Sequence, residues 1–173
     1  LMNADVPIPD FTLLAKRAGK HKVSLDIHKR TGTIDVVVDS TGLKVYGEGE
    51  WKTRTHGKSK RRTWRKLHLA VDPETQDIVA EVLTENSGHD SQQVQPMLDQ
   101  VEADVDSLSG DGGYDTWNVY GLLENRVIRA VIPPQKNAKI KRHGNTAGEP
   151  LARDVAIREI RTKGRKRWKM EIG

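Results

Sequence analysis

Two aspartates stand out by what precedes and follows them. Asp39 closes the run Ile34-Asp35-Val36-Val37-Val38-Asp39 and is followed at once by Ser40-Thr41-Gly42. Asp111 follows the short run Val105 to Ser109 and lies between Gly110 and Gly112. Branching at Cβ favours the extended chain, so each aspartate is expected at the end of a buried strand. A carboxylate there is costly unless hydrogen bonds, a cation or a metal compensate it. Either aspartate could cap its own turn, since Asp-Gly and Asp-Ser pairs are common in turns. Taken together they suit a different chemistry. Carboxylate oxygens are natural ligands of Mg2+ or Mn2+. Two such ions about 4 Å apart can activate an attacking oxygen and stabilise a leaving one in phosphoryl transfer.

The charge distribution points to a polyanionic partner. The 173 residues carry a net charge of +5, and the excess is segregated. Trp51 to Lys66 holds eight basic residues (Lys52, Arg54, Lys58, Lys60, Arg61, Arg62, Arg65 and Lys66) and no acid. Arg158 to Lys169 holds seven, Arg165, Lys166 and Arg167 among them, against Glu159 alone. Glu81 to Asp115 has no lysine or arginine. Clustered positive charge is what phosphate binding needs, although solvated basic faces would look similar. Cysteine is absent, which excludes disulfides and thiolate metal sites and fits a reducing compartment. No apolar stretch approaches a membrane span, and Leu1 to Asp5 lacks the features of a secretion signal. The expectation is a cytoplasmic protein with no membrane partner.

The elements that must position these residues can be read in order. Phe11 to Gly19 suits a short helix, and Val23 to Ile27 a short strand. After the run ending at Asp39, Ser40 to Gly42 reads as a turn and Gly42 to Gly47 as the second strand of a hairpin. Trp51 to Arg62 reads as a basic loop. Trp64 to Val71 and Asp77 to Thr84 read as two further strands joined by the turn Asp72 to Thr75. The period then changes: Asp90 to Val101 places Val94, Met97, Leu98 and Val101 on one helical face, with Ser87 to Ser91 as its cap. Val105 to Ser109 reads as a strand, Thr116 to Arg126 as a helix, and Val127 to Ile132 as a buried strand stopped by Pro133-Pro134. Gln135 to Pro150 reads as a flexible loop, Leu151 to Arg161 as a helix, and Gly164 to Gly173 as a basic tail. Antiparallel strands first, then alternating helix and strand, predict an α/β mixed sheet with helices on its faces. Among other candidates, His56 and His89 could be ligands, with His89-Asp90 better suited to a cap. His68 fits a core or groove position. Trp51 and Trp64 could stack on bases, and Tyr114 suits packing behind Asp111.

Several stretches together resemble the RNase H-like catalytic domain of bacterial insertion-sequence DDE transposases. They are Asp39-Ser-Thr-Gly-Leu-Lys-Val-Tyr-Gly-Glu-Gly-Glu-Trp-Lys52, His56-Gly, Arg61-Arg-Thr-Trp-Arg-Lys-Leu-His-Leu-Ala-Val-Asp72, Asp111-Gly-Gly-Tyr-Asp-Thr, Ile132-Pro-Pro-Gln-Lys-Asn-Ala138 and Trp168-Lys. The resemblance implies DNA cleavage and strand transfer with divalent metal, Asp39 as the first acid and Asp111 as the second. It implies double-stranded DNA partners, both element ends and target, and a homodimer on DNA. It also implies a glutamate on a helix beyond Trp168-Lys169. Glu171 is the nearby acid, in surroundings that do not match that motif. The expectation is therefore a linker over residues 1–30 and a catalytic domain over 31–173 that stops short of its third acid and is inactive as it stands. Two rivals remain open: a DNA-binding remnant without catalysis, and an RNase H-like nuclease that cuts without joining.

Overall fold

The computed structural model describes residues 11–18, 20, 32–45, 64–143 and 148–172. Helix α1 spans Phe11–Ala18, as its sequence predicts. Strand β1 (Thr33–Lys44) is followed by β2 (Trp64–Val71) and β3 (Ile78–Glu85). A 3-10 turn at Asp90–Gln93 runs into α2 (Val94–Leu98), then β4 (Asp104–Ser109) and a 3-10 turn at Gly112–Tyr114. Helix α3 (Trp117–Asn125), β5 (Arg129–Val131), α4 (Ala152–Lys163) and α5 (Arg165–Ile172) complete the order. The five strands form one sheet in the order β3-β2-β1-β4-β5. The first three are antiparallel neighbours, while β4 and β5 run parallel to β1 and to each other. This is the mixed α/β sheet that the sequence predicts, with antiparallel strands first and parallel strands after.

The strand carrying Asp39 differs from expectation in two ways. It does not stop at Ser40: β1 continues for 12 residues, so Gly42 to Lys44 extend it rather than forming a hairpin partner. Among the described residues the antiparallel meander therefore has three strands, not four. The register supplies the reason, since Ser40 to Lys44 pair with His68 to Trp64 of β2, and that ladder satisfies the backbone groups a turn would otherwise bond. Gly42 fits because the Trp64 ring lies against it, 3.5 Å from where a Cβ would stand. Second, β1 is buried on one face only. Ile34, Val36 and Val38 are inside, while Asp35, Val37 and Asp39 are exposed. Val37 hides this period-2 alternation by being apolar on the outer face.

The core is where that inner face meets two helices. Ile34, Val36, Val38 and Leu108 pack with Val94, Met97 and Leu98 of α2 and with Val119, Tyr120 and Leu123 of α3. Full burial of each such side chain contributes about 1.5–3 kcal/mol. Thr116 caps α3 by accepting from the Val119 amide at 3.3 Å. The Asp72 turn forms as read, its Oδ1 accepting from Glu74 N at 2.8 Å.

Three segments differ from the sequence reading. Val127 lies outside β5, at φ 59° and 88% exposed, as the residue that ends α3. Residues 165–172 form a helix rather than a tail, because Trp168 is buried and its Nε1 donates to Glu159 on α4 at 3.0 Å. The segment after β5 is pinned rather than loose over its described part. Asp154, fully buried in α4, accepts from the amides of Lys141 at 2.9 Å and Arg142 at 2.7 Å. The expected strand over 23–27 and basic loop over 51–62 lie outside the described residues.

Candidate active site

Parallel register sets the two aspartates level with each other. The last paired residues of β1 and β4 are Val37 and Ser109, and Asp39 and Asp111 each lie two residues further on. Beyond this point the strands part, β1 continuing along β2 and β4 ending in the Gly112–Tyr114 turn. Both carboxylates are exposed at this end of the sheet. Exposure removes most of the burial cost anticipated for them.

Each carboxylate is oriented by a single backbone amide. Ser40 N–H donates to Asp39 Oδ1 at 2.7 Å, and Gly113 N–H donates to Asp111 Oδ1 at 2.7 Å. Asp111 thereby caps its own turn while remaining at the site, so the turn-capping role and the functional one coexist. Among the described residues, the second oxygen of each accepts no hydrogen bond. Two oriented carboxylates with open hard-oxygen donors fit Mg2+ or Mn2+. Among the described residues no group of three or more His, Asp or Glu could hold a metal ion. Glu171 is on α5, paired with Lys163 at 2.9 Å and Arg167 at 2.7 Å.

Behind the pair sits a polar web that the sequence reading did not assemble. Tyr114 is buried and packs over Gly110, as expected for a residue behind Asp111. Its hydroxyl has no partner among the described residues. Burial first, then the carboxylates of Asp90, Asp39 and Asp111, push the phenol well above its ordinary range, so it keeps its proton. Asp90 accepts from Lys66 Nζ at 2.7 Å. Burial works against its ionisation, but the bond and charge of Lys66, the nearby Ser40 hydroxyl and the charge of His68 outweigh that and lower its carboxyl below the usual range. His68 pairs opposite Ser40 in the ladder and is fully buried, as read for a core position, with Nε2 2.9 Å from Thr84 Oγ1. Burial lowers its pKa below 6.5, against the pull of Asp90. Asp90 was expected to cap a helix. The hint that it does otherwise is its position in a stretch lacking any lysine or arginine, so its counter-cation had to come from another element.

The basic residues divide. Lys52, Arg54, Lys58, Lys60, Arg61 and Arg62, with His56 and Trp51, lie outside the described residues. Lys66 is committed to Asp90, and Arg65 stands 3.5 Å from Glu85. On α5, Lys166 is exposed, Arg165 is half-buried and Arg167 pairs with Glu171. His89 is exposed and makes no side-chain cap bond. Trp64 is 39% exposed. Missed altogether was Asp115, four residues past Asp111. It is buried, and it accepts from Arg153 Nε at 2.5 Å, Arg153 Nη2 at 2.7 Å and Gln135 N at 2.8 Å.

A family model described as Transposase DDE domain matches residues 30–173, and a second with the same description matches residues 1–48. Among solved structures, the chain is similar to one described as a cryo-EM structure of the piggyBac transposase synaptic complex with hairpin DNA. Identity is 11% and the TM-score 0.43, with 68% of this chain and 27% of that chain covered. The chain thus spans about a quarter of that relative's length. Among the described residues no helix is long and apolar enough to cross a membrane. Because the first match takes in the whole sheet and both aspartates, the chain belongs to the Transposase DDE domain family.

Proposed function

We propose that residues 31–173 form the catalytic unit of an insertion-sequence transposase that cuts element ends and joins them to target DNA. Asp39 and Asp111 hold Mg2+ or Mn2+ in this reading. The observation that carries it is the level placement of two amide-oriented, open carboxylates, each two residues past the end of the parallel pairing of β1 with β4. A divalent cation bound there supplies the positive charge that activates water or a 3′ hydroxyl and stabilises the leaving oxygen. The chain's own residues do the positioning. Ser40 and Gly113 amides fix the carboxylates, and Lys66 neutralises Asp90 nearby. Tyr114 fills the space behind with a phenol that stays neutral. Double-stranded DNA, engaged by a homodimer, is the partner that the basic surfaces and the family support.

Metal binding tests this without depending on turnover. Mn2+ titration followed by electron paramagnetic resonance is expected to show binding by the native chain. Asp39→Asn and Asp111→Asn should each abolish it while far-ultraviolet circular dichroism is unchanged. Native-like Mn2+ affinity in both variants would refute the assignment. With the complete gene product, the same variants should lose Mn2+-dependent cleavage and joining of element-end DNA. Cleavage without joining by the native protein would favour a nuclease instead.

A further inference from the structure

The segment after β5 forms a second cationic surface, at the same end of the sheet as the aspartates. From Pro133 to His143 there are four basic residues (Lys136, Lys139, Lys141 and Arg142) and no acid. The side chains of Lys136, Lys139 and Lys141 are exposed, and among the described residues none of the three forms an ion pair. Nearby acids are already satisfied: Asp115 by Arg153 and an amide, Asp154 by two amides.

What distinguishes this segment from an ordinary basic loop is how firmly it is fixed to the catalytic turn. Gln135 N–H donates to Asp115 and Gln135 Nε2 donates to Gly112 O at 3.3 Å, so the segment begins one residue from Asp111. Ala138 N–H closes a turn on Gln135 O at 3.0 Å. At the far end, Asp154 holds the Lys141 and Arg142 amides, and Arg158 donates to Arg142 O at 2.6 Å. The Lys141 ammonium lies 4.7 Å from the centre of the Trp117 ring, which Arg153 also contacts. Cations on a pinned backbone lose little freedom on binding, and positioned phosphate contacts fix register on a duplex.

Resting on the function proposed above, we infer that Lys136, Lys139 and Lys141 form a rigid rim gripping backbone phosphates of duplex DNA beside the bond cut at Asp39 and Asp111. In sequence this segment is distinct from the basic runs at 52–66 and 158–169.

The test is the salt dependence of binding by the full chain to a fluorescein-labelled random-sequence DNA duplex, measured by anisotropy. Each lost phosphate contact lowers the slope of log affinity against log salt by about 0.9. Lys136→Gln/Lys139→Gln/Lys141→Gln is expected to lower it by about two to three and to weaken binding ~10-fold or more at 0.1 M salt. Lys136→Glu/Lys139→Glu, which leaves Lys141 on Trp117, should show the same direction. Arg126→Gln/Arg129→Gln removes two cations at the opposite end of β5 and should leave the slope unchanged. A native slope in both rim variants would overturn the inference. So would unchanged DNA binding with loss of binding to an RNA duplex. Mn2+ binding is measured on the same variants and should be native. If native protein fails to bind Mn2+, the catalytic reading falls, while the slope still decides whether the rim holds DNA.

Discussion

Removing the Arg153 guanidinium should expose how much the turn after Asp111 depends on its anchor. Asp115 has a fully buried side chain, and Arg153 is 11% exposed on its own, so the pair is little screened by solvent. The bond is bidentate, with Nε at 2.5 Å and Nη2 at 2.7 Å. Arg153→Met keeps much of the stem volume but leaves a buried carboxylate with Gln135 N–H as its remaining described partner. Breaking a buried pair from one side costs about 3–5 kcal/mol. The surviving amide bond argues for the lower end, about 3 kcal/mol, which for a chain of this size lowers Tm by roughly 6–12 °C. The double variant Asp115→Asn/Arg153→Met should cost much less than the sum of the singles, giving a coupling of about 2 kcal/mol in urea unfolding. A deficit under 1 kcal/mol would refute the idea that this pair pins the turn.

Three other outcomes are expected. Val127 ends α3 in a Schellman arrangement, with Val127 N–H on Glu124 O at 3.1 Å and Ile128 N–H on Leu123 O at 2.9 Å, yet at φ 59° it is β-branched. Val127→Gly removes a left-handed penalty of about 1–2 kcal/mol against an entropic cost of about 0.5–1. It should raise the urea midpoint, Val127→Asn less so, and a lowered midpoint for glycine would contradict the strain. Gly110→Ala places a methyl 2.9 Å from Tyr114 Cδ2 and 3.1 Å from Val38 Cγ2. It should destabilise by about 1–3 kcal/mol and weaken Mn2+ binding, checked by unfolding and resonance titration. His68 and Asp90 both have lowered pKa values in the fold. For His68 the unfolded chain binds the proton first, so stability falls as pH drops below 6.5 towards the folded value. For Asp90 stability is lost further down, as pH falls through its folded pKa below 3.8. Urea unfolding from pH 8 to 4 should show the upper decline, and His68→Gln should flatten it.

Much of the local structure is legible in the sequence, because it is written in periods and turn residues. Trp64 to Val71 is read to the residue, the Asp72 turn forms, and Val94, Met97 and Leu98 face inward. Misreadings occur where a partner far along the chain decides. Ser40-Thr41-Gly42 has turn chemistry, but β2 offers a ladder and Trp64 covers the glycine. Residues 165–172 lack an apolar stripe, and one buried indole with an Arg167–Glu171 pair is enough to dock them as a helix. Lys66 reads as one cation of a basic run, and its partner Asp90 lies 24 residues on. The loop after β5 reads as flexible because its anchors, Asp115 and Asp154, lie on either side of it.

The candidate site itself is legible as two residue types and illegible as a place. Nothing local says that the strand carrying Asp39 and the strand leading to Asp111 are neighbours, or that they run the same way. That follows from β4 crossing back beside β1 while β2 turns away on its other edge. β2 lies along one edge of β1 and β4 along the other, so the pairing of β1 with β4 ends at the carboxyl side, which is where open α/β sheets bind ligands. The segment after β5 leaves from the same end of the sheet, since β5 continues the parallel series. Two exposed acids and a pinned row of lysines thus share one end of the sheet for one topological reason. Substituting the lysines should therefore alter grip on DNA while leaving the carboxylates able to bind metal.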